Sequence, residues 1–275
     1  VNPGILTPTT QYATMPRGLL GRPTPVPSVR GWGTNPLSFN ATLRQGLQAY
    51  LPLNEDATSG DVSAVDWTGL GPNFTSNNTV ASTTGRFGNG RTFVRANTEW
   101  LSAAYSPQWA FGNAAYTLTV WVRYASWPTG NDFLISQDNL NSNISSLSVF
   151  AGVAGGRSLG VVGFSGNSFF TGNVGSSATI ALNAWHFFAV RHELNSPIIT
   201  LRLHTASGGR FSGGIVSTTG SWNGSVLDIN IGRRNNATNY AGGDIDEIAK
   251  WGRVLSDAEL DAIWNSGAGI DLTQP

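Results

Sequence analysis

Apolar and polar residues alternate along much of this chain. In 116–123, Leu118, Val120 and Val122 fall on one side of an extended strand, and Thr117, Thr119, Trp121 and Arg123 fall on the other. Runs rich in β-branched and aromatic residues also occupy 46–53, 92–94, 133–136, 146–150, 159–164, 185–191, 198–203, 227–231 and 244–251, separated by Gly, Asn, Ser and Pro. Strands at this spacing predict two stacked antiparallel sheets with a core between them. The period changes once, in 255–267, where Leu260, Ile263 and Trp264 form one helical stripe. Ser256 is the expected N-cap, Glu259 its capping-box partner, Leu255 and Leu260 a hydrophobic staple, and Gly267 the stop. The expected fold class is all-β, a two-sheet antiparallel sandwich with one short C-terminal helix.

Residues 1–45 break the pattern. Pro3, Pro8, Pro16, Pro23, Pro25, Pro27 and Pro36 lie in this stretch, which shows neither helical nor strand periodicity. Each proline fixes its own φ and pushes its predecessor away from α, so an extended, polyproline-like segment is expected. One reading is a disordered leader. The other is an N-terminal arm laid along a partner through Leu6, Tyr12, Leu19, Leu20, Val26 and Trp32, which are more apolar than a solvated linker needs. The chain thus divides into an arm, 1–45, and a domain, 46–275.

Composition narrows the function. Charged residues make up 12% and the formal net charge is zero, so no long-range field draws the chain to nucleic acid or an acidic membrane. There is no cysteine, which removes disulfides, thiol chemistry and zinc–thiolate sites. No apolar run reaches membrane-spanning length, and no export signal is visible at the start.

Candidate chemistry is sparse. His186 and His192 lie six positions apart on one strand, about 20 Å at strand rise, too far to share a metal. Trp121, Trp185 and Trp251 sit inside strand patterns and are expected in the core or on a sheet face. Trp67, Trp100, Trp109, Trp127 and Trp222 lie in Gly-, Asn- and Ser-rich stretches, where an amphipathic ring can stack on a sugar. Asn and Asp near 131–132, 137–139 and 235–236 are suited to binding sugar hydroxyls. The expected glycan-binding set is Trp100, Trp127, Asp132, Asp138 and Asn235. The stretch GGDIDEIAKW, 242–251, holds three acids in four positions; strand alternation puts Asp244 and Asp246 on one face and Glu247 with Ile245 on the other.

Taken in order, GLQAYLPLNEDATSGDVSAVDWTG, GRFGNGRTFVRANTEWL, TLTVWVRY, NAWHFFAVRHEL and the closing LDINIGRRNNATNYAGGDIDEIAKWGRVLSDAELDAIWNSG resemble the laminin-G-like, concanavalin A-like jelly-roll family over about residues 46–269. The resemblance implies a jelly roll, and one structural calcium held near the opening turn by Asp246, Glu55, Asn54 and Gly88, calcium favouring six to eight oxygens. Asn54 stands where an acid is usual. Related glucanases carry Glu-x-Asp-x-x-Glu on one strand. Here Ala249 takes the last position, so the acid partner needed for hydrolysis is missing and no catalytic residue is expected.

The function expected from these features is a non-enzymatic virion surface protein of a bacteriophage-like particle, as a capsid decoration, head fibre or tail-associated protein. Its arm would bind capsid or other virion proteins, its jelly roll would display a surface for polysaccharide, and copies would associate as a homo-oligomer. The alternative is a secreted or cell-surface carbohydrate-binding module.

Overall fold

The computed structural model describes residues 39–57, 62–138, 146–152, 156–165, 168–216, 226–235 and 239–272. The arm residues Leu6, Tyr12, Leu19, Leu20, Val26 and Trp32 lie outside these, as does Trp222. The strands are β1 (Leu47–Leu51), β2 (Thr75–Asn77), β3 (Ala81–Thr84), β4 (Asn89–Phe93), β5 (Trp100–Ala103), β6 (Tyr116–Arg123), β7 (Asp132–Ser136) and β8 (Ser146–Gly152). They continue as β9 (Ser158–Ser165), β10 (Ser168–Val174), β11 (His186–His192), β12 (Ile198–His204), β13 (Arg210–Val216), β14 (Ile229–Ile231) and β15 (Gly243–Trp251). Two short helices, α1 (Phe39–Arg44) and α2 (Asp257–Trp264), flank them.

One sheet runs β13-β12-β11-β6-β15-β4-β3, with β1 also paired to β15; the other runs β10-β9-β8-β7-β14-β5-β2. Every pairing among the described residues is antiparallel, giving the expected two-sheet, jelly-roll-like sandwich. Alternation sorts the faces as the sequence indicates. Leu118, Val120 and Val122 of β6 meet Phe188, Val149, Ile231 and Ile245 in the core between the sheets. Trp121 points outward and joins Tyr50, Phe187 and Trp251 beneath α2, whose Leu260, Ile263 and Trp264 cover them. The Trp121 and Trp264 rings stack at 5.3 Å. Each such buried apolar side chain contributes roughly 1.5–3 kcal/mol of transfer free energy.

The capping box of α2 forms as expected, with the Ser256 hydroxyl accepting from the Glu259 amide and the Glu259 carboxylate accepting from the Ser256 amide. The helix ends earlier than expected, at Asn265, which takes a left-handed φ of 45°. At the other terminus, α1 falls inside the segment expected as arm, yet Leu43 is buried in the outer cluster. Trp251 Nε1 donates to the Leu43 carbonyl at 2.5 Å, and Arg253 donates to the carbonyls of Thr42 and Gln45. Residues 42–45 therefore pack as part of the sandwich.

β15 departs from simple alternation. Asp246 pairs with Trp121 and Ala249 with Thr119, so one extra residue is inserted, and Glu247 sits there at φ 51°. This β-bulge reverses the expected orientation of Glu247. Its carboxylate accepts the Tyr50 hydroxyl in the outer cluster, on the same side as Asp246 and away from Ile245.

Candidate functional site

Three connections that pass from one sheet to the other meet at one end of the sandwich: 94–99 after β4, 124–131 after β6 and, before β15, the stretches 232–235 and 239–242. The pairings Gly243–Phe93 and Asp244–Arg123 bring these ends together. Between them is a pocket of about 350 Å³ lined by Arg95, Thr129, Gly130, Asn131, Asp132, Asn239 and Tyr240.

Asp132 anchors the pocket from the first position of β7. Arg95 Nη2 lies 2.6 and 2.5 Å from its two carboxylate oxygens and Arg95 Nε 3.0 Å from one of them. The Gly242 amide donates to the same carboxylate at 2.9 Å. Burial raises the Asp132 carboxyl above its ordinary range, against the pull of Arg95 and the Gly242 amide. Of the two glycines the second is required sterically, since a Cβ on Gly243 would stand 2.8 Å from the Tyr124 ring. Arg95 Nε also donates to the Tyr240 carbonyl at 3.1 Å, fixing the connection that carries Tyr240 and Asn239.

Trp100, at the start of β5, stands beside Tyr240 with ring centroids 6.0 Å apart, and the Arg233 guanidinium lies 4.0 Å over the indole. The lining combines amide and hydroxyl groups for hydrogen bonds, an aromatic ring and a neutralised ion pair, the composition of a site for a small polar ligand. It has a single carboxylate, whereas glycoside hydrolysis ordinarily requires a pair of acids flanking the bond.

Two of the five residues expected to contact glycan are brought together here, Asp132 in the wall and Trp100 beside it, although one indole face is covered by Arg233. The other three do not line the pocket, although Trp127 and Asn235 belong to two of the same connections. Trp127 packs on Tyr124 at 4.7 Å and donates to the Gly152 carbonyl at 2.7 Å. Asp138 is buried and paired with Arg234, whose Nε lies 2.8 Å away. Asn235 is taken up by Asn230 and by the Asp228 carbonyl. Trp109, expected in a loop context, is buried in the core edge-on to Phe74. Sequence reasoning noted Asn131 but missed Arg95, Asn239, Tyr240 and Arg233. The run NNATNY, ending at Tyr240 just before the double glycine, carried a usable signal; Arg95 carried none.

The acids of GGDIDEIAKW serve the framework. Asp244 pairs with Arg123 at 2.8 Å. Asp246 is fully buried, accepting from the Arg86 amide at 2.5 Å and the Phe87 amide at 3.3 Å through one oxygen, while its other oxygen has no partner. Burial pushes its carboxyl up to about 8, and burial together with Asp246 pushes Glu247 up as well. Both are buried in the packed outer layer of the sheet.

The four residues expected around calcium do not fit as a donor cage. Asn54 Oδ1 accepts from the Asn89 amide at 2.8 Å, close against Gly88, and Asp246 faces the adjoining turn. Glu55 turns away, accepting from the Val65 amide at 2.8 Å and from Arg91 at 3.2 Å. Arg91 is itself fully buried and also donates to the carbonyls of Val62 and Val80, so a guanidinium supplies positive charge to the opening loop. Among the described residues no group of three or more His, Cys, Asp or Glu side chains gathers in a metal-binding arrangement.

All three histidines are buried. His186 Nε2 lies 2.9 Å from the Ala181 carbonyl, and both ring nitrogens of His192 face carbonyls, of Ala114 and Ser196.

Solved structures share the fold at low identity. Domain 4 of AbnA, a GH43 extracellular arabinanase from Geobacillus stearothermophilus, in complex with arabinotriose, matches with a TM-score of 0.57 at 16% identity, over 82% of this chain and 98% of that one. The binding domain of Paraclostridial Mosquitocidal Protein 1 matches with a TM-score of 0.62 at 15% identity, over 82% of this chain and 53% of that one. Full-length tailspike protein 2 from Escherichia coli O157:H7 bacteriophage CAB120 matches with a TM-score of 0.50 at 10% identity, over 79% of this chain and 27% of that one. The chain thus spans nearly all of the arabinanase domain but only about half of the toxin domain and about a quarter of the tailspike. A search of curated proteins returned no match. The family model Laminin_G_3, of the concanavalin A-like lectin/glucanases superfamily, matches residues 96–261, more than half of the sequence. The chain belongs to the concanavalin A-like lectin/glucanase superfamily.

Proposed function

We propose that this domain is a non-catalytic saccharide-binding module that takes its ligand into the pocket between the three crossover connections. The observation that carries the reading is the composition of that pocket, in which amides and a hydroxyl surround Tyr240 and an Arg95–Asp132 pair. Sugar hydroxyls match such donors and acceptors, and a sugar's apolar face matches the tyrosine ring. The arabinanase domain of nearly equal extent, described in complex with arabinotriose, supports the same reading. The non-catalytic part rests on the placement of the acids: one carboxylate in the pocket, already paired with arginine, and Asp246 and Glu247 enclosed in a packed layer. A polysaccharide array is the test. Binding should be present in the native chain and lost in Tyr240→Ala and Asn131→Ala; an array with no bound saccharide overturns the reading.

The setting we propose is the surface of a bacteriophage-like particle, with the proline-rich N-terminal segment on capsid or other virion proteins. The apolar content of that segment and the fold shared with part of a phage tailspike support it. Removal of residues 1–38, which spares the packed residues 42–45, should leave a folded domain that no longer enters particles. Normal incorporation of that variant would favour the secreted or cell-surface module, in which the same pocket serves without a virion.

A further inference from the structure

We infer that the pocket selects an acidic saccharide, with Arg233 receiving the ligand's carboxylate. The inference rests on the saccharide-binding reading above and names the class of sugar.

Within the pocket wall, Arg95 and Asp132 cancel each other's charge through their two-pronged contact. Arg233 is not cancelled in this way. Among the described residues its only hydrogen bond runs from Nε to Asn230 Oδ1, at 3.2 Å, and no carboxylate pairs with it. Glu99, a second carboxylate at this end, is buried and turned to the Val94 amide and Asn97 Nδ2 rather than to Arg233.

The guanidinium is also held in place. Its central carbon stands 4.0 Å from the centre of the Trp100 ring, and Asn230, which tethers its Nε, is itself buried on β14. Stacking on an indole fixes the plane of an arginine while leaving its terminal nitrogens available, and a fixed planar fork matches a carboxylate better than a mobile ammonium does. Trp100 in turn abuts Tyr240, which lines the pocket, so the cation is one indole away from the ring on which a sugar would rest. Trp100 is therefore a positioning residue, holding Arg233 rather than stacking on the ligand. An oligouronate meets both requirements: hydroxyls of one unit for Asn131, Thr129 and Asn239, and the carboxylate of a neighbouring unit for Arg233, which stands beyond the pocket lining.

The test uses the full chain on an array that pairs hyaluronate, alginate and polygalacturonate with their carboxyl-reduced forms, together with dextran and sulfated dextran. At least one uronate should bind about tenfold more tightly than its reduced partner, the gain of one charge-assisted contact. Arg233→Gln should bring the two within about twofold while thermal unfolding stays unchanged, since the side chain is partly exposed. Equal binding of acidic and reduced forms would overturn the inference and leave the saccharide reading standing. Sulfated dextran bound as tightly as any uronate would also overturn it, by showing plain anion attraction. Binding of nothing on the array would overturn both.

Discussion

Arg95 grips Asp132 with Nη2 at 2.6 and 2.5 Å from the two carboxylate oxygens, across 37 positions of sequence, and so ties the connection after β4 to the start of β7. The pair is unequal: Asp132 is buried, and the Arg95 side chain is 45% exposed. Removing the arginine therefore leaves a buried carboxylate without its counter-charge, whereas removing the carboxylate frees an arginine that water can solvate.

Arg95→Met should accordingly destabilise the domain by about 1–3 kcal/mol, the lower end reflecting the partial exposure of the arginine. Asp132→Asn should cost less. Because loss of Arg95 raises the folded-state pKa of Asp132 further above its unfolded value, the Arg95→Met penalty should grow as pH rises from 5 to 8. Urea unfolding at the two pH values measures it; a penalty independent of pH would show that the ion pair is not its source.

Asp246 makes a second prediction. Burial holds its carboxyl at about 8 in the folded chain against an ordinary 3.8, so the folded state binds more protons between those values. The contribution is fully favourable below about pH 4 and is lost as pH climbs toward 8, with Glu247 acting in the same direction. Asp246→Asn keeps an acceptor for the Arg86 amide and should flatten the decline, by on the order of a few kcal/mol at pH 8. Chemical denaturation from pH 4 to 8 checks the slope.

Lys250 behaves in the opposite sense. It is the one lysine of the sequence, is buried, and donates to Gln48 Oε1 at 2.8 Å and the Gln108 carbonyl at 2.7 Å. Burial lowers its amine from 10.5 to about 7, so the unfolded chain binds more protons between those values and stability rises with pH across them. Together with Asp246 this gives a stability minimum between the two windows, near pH 7–8. In Lys250→Met the rise on the alkaline side should disappear, as read from midpoints of unfolding at pH 7, 8.5 and 10.

Arg91 sets the metal dependence. With Glu55, Val62 and Val80 all drawn to its guanidinium, the opening loop has its cation built into the chain. Calcium and EDTA should leave the unfolding temperature where it is, and Arg91→Met should lower stability by roughly 2–4 kcal/mol by leaving buried acceptors unmatched. A calcium-dependent rise of several degrees in the native chain would contradict this account of the loop.

The sandwich was legible because its signals are local and repeated. Leu118, Val120 and Val122 alternate without interruption, and Ser256 and Glu259 cap α2 within one turn. The closing strand was legible in place but not in orientation: nothing in Asp246-Glu247-Ile248 announces a non-glycine residue at φ 51°, and the bulge alone turns Glu247 toward Tyr50. The pocket was half legible. Asp132 and Trp100 share residue type and context with Asp138 and Trp127, and the partners found in three dimensions separate them: Asp138 is buried against Arg234 and Trp127 donates to the Gly152 carbonyl. Partners such as Arg95 for Asp132, or Arg91 for Glu55, are chosen by three-dimensional approach, which spacing along the chain does not encode.

Saccharide binding by the intact chain, compared with that of Tyr240→Ala, tests the central claim most directly. Calorimetry against the best-bound polysaccharide of an array should show saturable binding in the native chain. In Tyr240→Ala it should weaken at least about tenfold, with the unfolding temperature preserved. Undiminished binding by the variant would place the ligand elsewhere and contradict the assignment of the pocket.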